Sequence, residues 1–304
     1  MPKLKIGTRG SPLALYQAHE TRRRLITAHG LAEDEIEIIV ITTTGDLVRD
    51  RPLAEIGGKG LFTKEIEEAL FDGSIQLAVH SMKDMPAHLP DGLVMAALLP
   101  REDPRDAFLS PVAATIEALA KGATVGSSSV RRAAQLKRVR PDLNIIAFRG
   151  NVETRLRKLA DGVAQATFLA CAGLNRLGLA DKITSIIPVE VMLPAVAQGC
   201  IGIETRADNA AMRELLAPLD HRETATAVTC ERAFLAALDG SCRTPLAGLA
   251  MLVDGEVRFR GHALTLDGAY CFETQRQGAP ADAERMGREA GEEVKAMGGN
   301  LIAF

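Results

Sequence analysis

The chain has no tryptophan and only 2 tyrosines, with 9 phenylalanines in 304 residues. That composition argues against base stacking on aromatic platforms as a basis for nucleic-acid binding, and the core must be built from Leu, Ile, Val and Ala. Cysteines are few: Cys171, Cys200, Cys230, Cys242 and Cys271 make an odd number without a CxxC pair. That pattern argues against a disulfide framework and against a zinc ribbon. The 6 histidines form no ligand-spaced pair with cysteine or carboxylate, so no metal site is expected. No run approaches the ~20 apolar residues of a membrane span. Met1-Pro2-Lys3-Leu4-Lys5-Ile6 opens the chain without an apolar signal region. The net charge of −3 provides no bulk positive field for nucleic acid or anionic lipid. A reduced, cytoplasmic protein without nucleic-acid or membrane partners is expected, and nothing demands more than a monomer.

What is present is ordinary in bulk and uneven in detail. Hydrophobic residues are 47% and charged residues 25%, globular values, and the length suits two or three domains of roughly 100 residues. The 36 basic residues divide into 26 Arg and 10 Lys. Genomic bias towards arginine explains such a ratio by itself, so only the positions of the arginines are informative.

The first half alternates short strands and helices. Strands are expected at 3–8, 35–41 and 75–80, with helices at 12–28 and 61–70 and loops at 42–46 and 57–60. The same grammar restarts near residue 105, with strands at 124–126, 144–148 and 166–170 and helices at 130–139 and 152–159. This implies mainly parallel sheets covered on both faces, and two tandem α/β domains with a cleft between them. The last third reads as a long helix over 222–238, three strands at 246–253, 256–265 and 269–277 joined by Asp254-Gly255 and Asp267-Gly268 turns, and a closing helix at 281–297. That is a small α+β domain with a three-stranded antiparallel sheet.

Ligands of parallel α/β sheets gather at the carboxyl ends of strands. Arg9, Arg131, Arg132, Arg149, Arg155 and Arg176 all fall just beyond expected strand ends. Planar guanidinium groups bind carboxylate and phosphate in a two-pronged way, so a polyanion with several such groups is the expected ligand. Ser127-Ser128-Ser129 and Gly57-Gly58-Lys59-Gly60 look like phosphate cradles, but neither has P-loop spacing and no GxGxxG follows a strand. Carboxylate binding therefore ranks above nucleotide binding, and the glycine stretch reads equally well as a hinge or lid. Asp84, next to Lys83 at a strand end, suits proton exchange with a ligand; a helix cap or surface ion pair is the alternative, and spacing does not separate them. His80 reads as a buried strand residue with a satisfied ring, and Asp46 as a turn residue. Cys242 alone among the cysteines lies in a loop, beside Arg243, which favours thiolate character; the other four read as small core residues.

Taken together, the segments resemble the porphobilinogen deaminase family along essentially the whole chain. The segments are Gly7-Thr8-Arg9-Gly10-Ser11-Pro12, Thr43-Thr44-Gly45-Asp46, Gly57-Gly58-Lys59-Gly60-Leu61-Phe62, His80-Ser81-Met82-Lys83-Asp84-Met85-Pro86, Arg101-Glu102-Asp103-Pro104-Arg105-Asp106, residues 126–132, Phe148-Arg149-Gly150-Asn151, Asn175-Arg176-Leu177-Gly178 and Ala197-Gln198-Gly199. The resemblance implies two α/β domains like a type II periplasmic-binding-protein pair, at 1–99 with 200–219 and at 100–199, and a cofactor-carrying α+β domain at 220–304. It implies a dipyrromethane cofactor attached covalently to Cys242, with Lys83, Ser129, Arg131 and Arg132 holding it. It implies head-to-tail condensation of four porphobilinogen molecules with loss of ammonia, then hydrolytic release of linear hydroxymethylbilane. Arg9, Ser11, Lys59, Ser81, Ser128, Arg149, Arg155, Arg176 and Gln198 become the expected substrate contacts, and Asp84 the catalytic carboxylate. The chain departs from the family's usual pattern at Ser241, Ser127, Val130, Cys171 and Cys200. The competing class is a carboxylate-binding receptor of the same architecture; the Asp84 and Cys242 combination argues for the enzyme.

Overall fold

A computed structural model describes residues 3–47, 60–240 and 244–302. Lys59 and Cys242 lie outside the described residues, as do Gly57, Gly58, Ser241 and Arg243.

The chain begins β1 (Leu4–Thr8), α1 (Pro12–His29), β2 (Ile36–Val40), a single turn α2 (Thr44–Leu47), α3 (Lys64–Phe71), β3 (Leu77–Ser81) and β4 (Leu93–Leu98). It continues β5 (Asp106–Leu109), β6 (Thr124–Gly126), α4 (Val130–Val139), β7 (Asn144–Ile146), α5 (Val152–Ala160), β8 (Ala166–Ala170), α6 (Cys171–Arg176) and β9 (Ser185–Ile186). It closes with β10 (Ile201–Arg206), α7 (Ala210–Leu216), α8 (Arg222–Ala237), β11 (Leu246–Val253), β12 (Glu256–Leu264), β13 (Cys271–Gly278) and α9 (Ala283–Gly298). The described residues form two compact units, one from residues up to 47, 60–102 and 200–225, the other from 103–199, 226–240 and 244–302.

The first unit holds a five-stranded sheet in the order β2-β1-β3-β10-β4. β1 runs parallel to β2 and β3, whereas β10 runs antiparallel to both β3 and β4. The sheet is thus mixed, which corrects the mainly parallel expectation: a strand from residues 201–206 inserts in reverse into a sheet begun two hundred residues earlier. α1 starts where the sequence dictates. Ser11 caps it by accepting the Ala14 N–H at 3.3 Å, with Pro12 in the first turn, and Gly30 ends it at φ 66°. Ile6, Leu25, Leu77, Val79, Ile203 and Leu216 bury the core between helix and sheet.

The second unit repeats the plan with the order β7-β6-β8-β5-β9. β6 is parallel to β7 and β8, and β5 is antiparallel to β8 and β9. Phe108, Val125, Leu136, Ala166 and Phe168 form one buried cluster on this sheet. The unit also contains the expected antiparallel sheet β11-β12-β13. Asp254 and Gly255 both take positive φ, 54° and 80°, as the mirror-image hairpin turn between β11 and β12 requires. α9 lies so close to α8 that a Cβ on Gly287 would stand 2.0 Å from the Cys230 carbonyl oxygen. Cys171, Cys200 and Cys230 are buried as the core reading expects, but Cys271 is half-buried. Among the described residues no helix is long and apolar enough to cross a membrane.

Candidate functional site

In the first unit the carboxyl ends of β1 and β3 deliver the polar residues. β1 leads into Arg9 and Ser11, and β3 ends at Ser81 and a tight turn, Met82–Asp84. Arg9, Ser11, Gln17, Phe62, Ser81 and Asp84 line one small cavity of about 70 Å³. Asp84 is exposed there, and Lys83 on the same turn is half-buried.

Arg9 is held on two sides. Its Nε donates to Asp46 Oδ2 at 3.1 Å, its Nη2 donates to Asp46 Oδ1, and its guanidinium carbon lies 4.2 Å from the centroid of the Phe62 ring. Thr43 Oγ1 donates to the same Asp46 Oδ2 at 2.8 Å. Burial works against the Asp46 charge, but the hydrogen bonds and charge of Arg9 outweigh it and hold the carboxyl below its usual range. Asp46 is thus more than the turn residue expected from sequence. Gln17, which the sequence did not single out, pairs with Ser81: its Nε2 donates to Ser81 Oγ at 2.8 Å. His80 is buried and contacts Glu204 Oε2 through Nε2 at 2.9 Å, so its ring is satisfied within the sheet.

In the second unit polar residues follow β6, β7 and β8. Ser129 caps α4 by accepting the Arg132 N–H at 3.4 Å, and Ser128 Oγ accepts the Phe148 N–H at 2.9 Å. Arg149 follows β7 and is half-buried, while Arg155 Nε donates to the Gly150 carbonyl at 2.8 Å. Arg176 Nη2 donates to the Gly199 carbonyl at 2.7 Å.

Arg131 and Arg132 differ from the open strand-end cations expected from sequence. They are only 5% and 6% exposed. Arg131 Nη2 donates to Asp106 Oδ2 at 2.8 Å, and Arg132 Nη2 donates to Asp106 Oδ1 at 2.7 Å. Arg131 Nη1 also donates to the Leu193 carbonyl at 2.7 Å, and Arg132 Nη1 to the Phe168 carbonyl at 2.9 Å. The physical reason is Asp106, a fully buried carboxylate at the start of β5 that needs compensation. Burial raises its proton affinity, but the two arginines overcome this and depress it strongly. Gln198, 1% exposed, joins the cluster by donating to Asp106 Oδ1 at 2.9 Å. The preceding Ala197 has φ 58°, and its N–H donates to the buried Glu231 carboxylate at 2.6 Å.

Residues 4–214 match the family model of the porphobilinogen deaminase dipyromethane cofactor binding domain, and residues 225–296 that of the porphobilinogen deaminase C-terminal domain. The porphobilinogen deaminase of Paracoccus denitrificans (strain Pd 1222) is 59% identical over 292 residues, 96% of this chain and 93% of the relative. The chain belongs to the porphobilinogen deaminase family. Among solved structures, the chain is similar to the VFT2 domain of Bordetella pertussis BvgS, with TM-score 0.41, 17% identity, and 71% and 84% of the two chains covered. It is also similar to a Coxiella burnetii ABC transporter periplasmic substrate-binding protein, with TM-score 0.43, 14% identity, and 71% and 91% covered.

The donor set fits the cofactor of the porphobilinogen deaminase family. Pyrrole acetate and propionate groups are carboxylates, and the helix N-terminus at Ser129, the Ser128 hydroxyl and the guanidinium groups of Arg149 and Arg155 are donors of the matching kind. The attachment residue suggested by the resemblance, Cys242, lies outside the described residues.

Proposed function

We propose that this chain condenses four porphobilinogen molecules head to tail, with loss of ammonia at each step, and releases linear hydroxymethylbilane by hydrolysis, in tetrapyrrole biosynthesis. The observation that carries this reading is the match to a porphobilinogen deaminase at 59% identity over 96% of the chain. The cation- and hydroxyl-rich groups in each unit are the chemistry that a substrate gaining two carboxylates per addition requires.

In this reading Cys242 holds the dipyrromethane through a thioether, and Lys83 and Ser129 bind its carboxylates. Once bound, the dipyrromethane supplies the pyrrole end to which the first substrate is joined. Arg131 and Arg132 support that site through Asp106, fixing the start of α4 and with it Ser129. Arg9, Ser11, Lys59, Ser81, Ser128, Arg149, Arg155, Arg176 and Gln198 are the substrate-binding set. The exposed Asp84 carboxylate stabilises the positive charge that develops on the substrate pyrrole as ammonia leaves, and moves protons at the pyrrole nitrogen. Residues 1–99 with 200–219, 100–199 and 220–304 act as three functional domains in a cytoplasmic monomer that needs neither nucleic acid nor membrane.

Intact mass and Ehrlich's reagent on freshly purified active protein test the reading. A mass increased by one dipyrromethane, pyrrole colour and conversion of porphobilinogen to hydroxymethylbilane are expected. An unmodified mass without colour or turnover would overturn it in favour of a carboxylate-binding protein.

A further inference from the structure

The antiparallel pairing of β12 with β13 brings together three side chains that linear spacing keeps apart. His262 lies directly opposite Glu273 in the register, and Cys271, two residues before Glu273, shares its face. One ligand atom from each of His262, Cys271 and Glu273 lies within 4.8 Å of the others. Cys271 Sγ donates to Glu273 Oε1 at 3.3 Å. His262 is 9% exposed, and its Nε2 has no hydrogen-bond partner. A buried polar nitrogen left in this state is costly, and the enzyme reading assigns none of these three residues a task.

We propose that His262, Cys271 and Glu273 form a three-ligand site for a thiophilic divalent cation of the Zn²⁺ class. Sulfur, imidazole and carboxylate together are the donor set of zinc rather than of magnesium or calcium. Tetrahedral bonds to such an ion place ligand atoms about 3.3–3.8 Å apart, a contraction that the half-buried Cys271 and exposed Glu273 side chains supply by rotamer adjustment. Three protein ligands leave a fourth position for water, and the exposed Glu273 edge is the route of entry.

The charges around the site set its limits. The positive charges of Arg131, Arg260 and Arg138 face the buried His262. Those arginines oppose a dication, but the Cys271 thiolate and Glu273 carboxylate bring two negative charges against it. The Cys271 proton leaves to solvent when the metal–sulfur bond forms. The hairpin end is already seated on α4, where a Cβ on Gly268 would lie 2.4 Å from the Ala134 carbonyl oxygen. An ion bound across β12 and β13 therefore tightens a hairpin that is anchored at its tip.

The test uses the full-length protein as isolated, stripped with a chelator and titrated with Co²⁺ and then Zn²⁺. One Co²⁺ per chain, a thiolate-to-cobalt charge-transfer band displaced by Zn²⁺, and a melting temperature that rises with Zn²⁺ concentration are expected. Cys271→Ser should abolish the charge-transfer band, and Glu273→Gln, at an exposed position, should weaken binding about tenfold or more. Absence of one-to-one binding overturns the proposal. So does a charge-transfer band that survives in Cys271→Ser, because it would arise from another thiol, and so does undiminished affinity in Glu273→Gln.

Discussion

Arg132 grips Asp106 inside the second unit, donating from Nε at 3.2 Å and from Nη2 at 2.7 Å to the same carboxylate oxygen. Arg131 takes the other oxygen, so one buried carboxylate is shared by two adjacent arginines at the start of α4. The cluster spans β5, α4 and the segment carrying Gln198. Its consequence is mechanical: the first turn of α4, where Ser129 accepts from the Arg132 N–H, is tied to the sheet through the side chain of the same arginine.

Asp106→Asn should therefore cost about 3–5 kcal/mol at neutral pH, because it leaves two buried cations without their counter-charge. The effect has a defined pH dependence. The folded-state affinity of Asp106 for a proton is depressed, so its contribution is complete above the unfolded carboxyl pKa of about 3.9 and is lost as pH falls below it. Urea unfolding as a function of pH checks this. The gap between native protein and variant should be widest near neutrality and narrow progressively below about pH 4; a gap that widens on acidification would be the wrong sign.

Asp46 holds the Nε–Nη2 edge of Arg9; in the proposed function the other edge of the guanidinium receives a substrate carboxylate. Asp46→Asn should raise KM for porphobilinogen about tenfold, the scale of one charge-assisted hydrogen bond, with kcat little changed. The pair is only partly buried, so the melting temperature should fall slightly. A large loss of stability with unchanged KM would make Asp46 a purely structural partner.

The sequence and the structure part company where pairing is non-local. α4 was legible to the residue because Ser129 caps it and its apolar face repeats at helical spacing. The β11-β12-β13 hairpins were legible from Asp254-Gly255 and Asp267-Gly268. β4, β5 and β10 were not seen: each is only 4 to 6 residues long, and their antiparallel placement depends on partners up to 126 residues away. α2 was read as loop because Thr-Gly-Asp is turn chemistry, yet the segment makes one helical turn. For the site, residue type and strand-end position found Arg9, Ser81 and Asp84. They did not find Gln17 or the roles of Asp46 and Asp106, since nothing local marks a side chain whose partner lies 25 to 92 positions away. The His262, Cys271 and Glu273 cluster escaped because its members meet across two strands rather than along one, and the hairpin register was the signal that would have revealed it.

Asp84 is exposed, and its removal should leave the fold intact. Asp84→Ala should lower turnover by about 10²–10⁴-fold, the range for loss of a positioned acid–base group. Intact mass should still show the attached cofactor, which separates a catalytic defect from a failure of assembly. Turnover within a few-fold of the native protein would remove Asp84 from this role.

Glu231 offers the sharpest test of how the second unit positions Gln198. It is fully buried, and its two oxygens accept two backbone N–H groups, Ala197 at 2.6 Å and Ala250 at 2.7 Å, joining the segment before Gln198 to β11 through α8. Ala197 adopts φ 58°, a left-handed conformation that costs a non-glycine residue of order 1–3 kcal/mol and persists only when its surroundings impose it. Glu231→Gln keeps the shape but replaces one acceptor with an NH₂ group facing an N–H donor. Hydrogen bonds to a charged group are worth about 1.5–3 kcal/mol, so a loss of about 2 kcal/mol is expected in urea unfolding. If the carboxylate is what holds Ala197 in its strained state, Ala197→Gly in the Glu231→Gln background should recover part of that loss, because glycine takes positive φ without penalty. No recovery would place the cost of the Glu231 change at β11 rather than at the segment leading into Gln198.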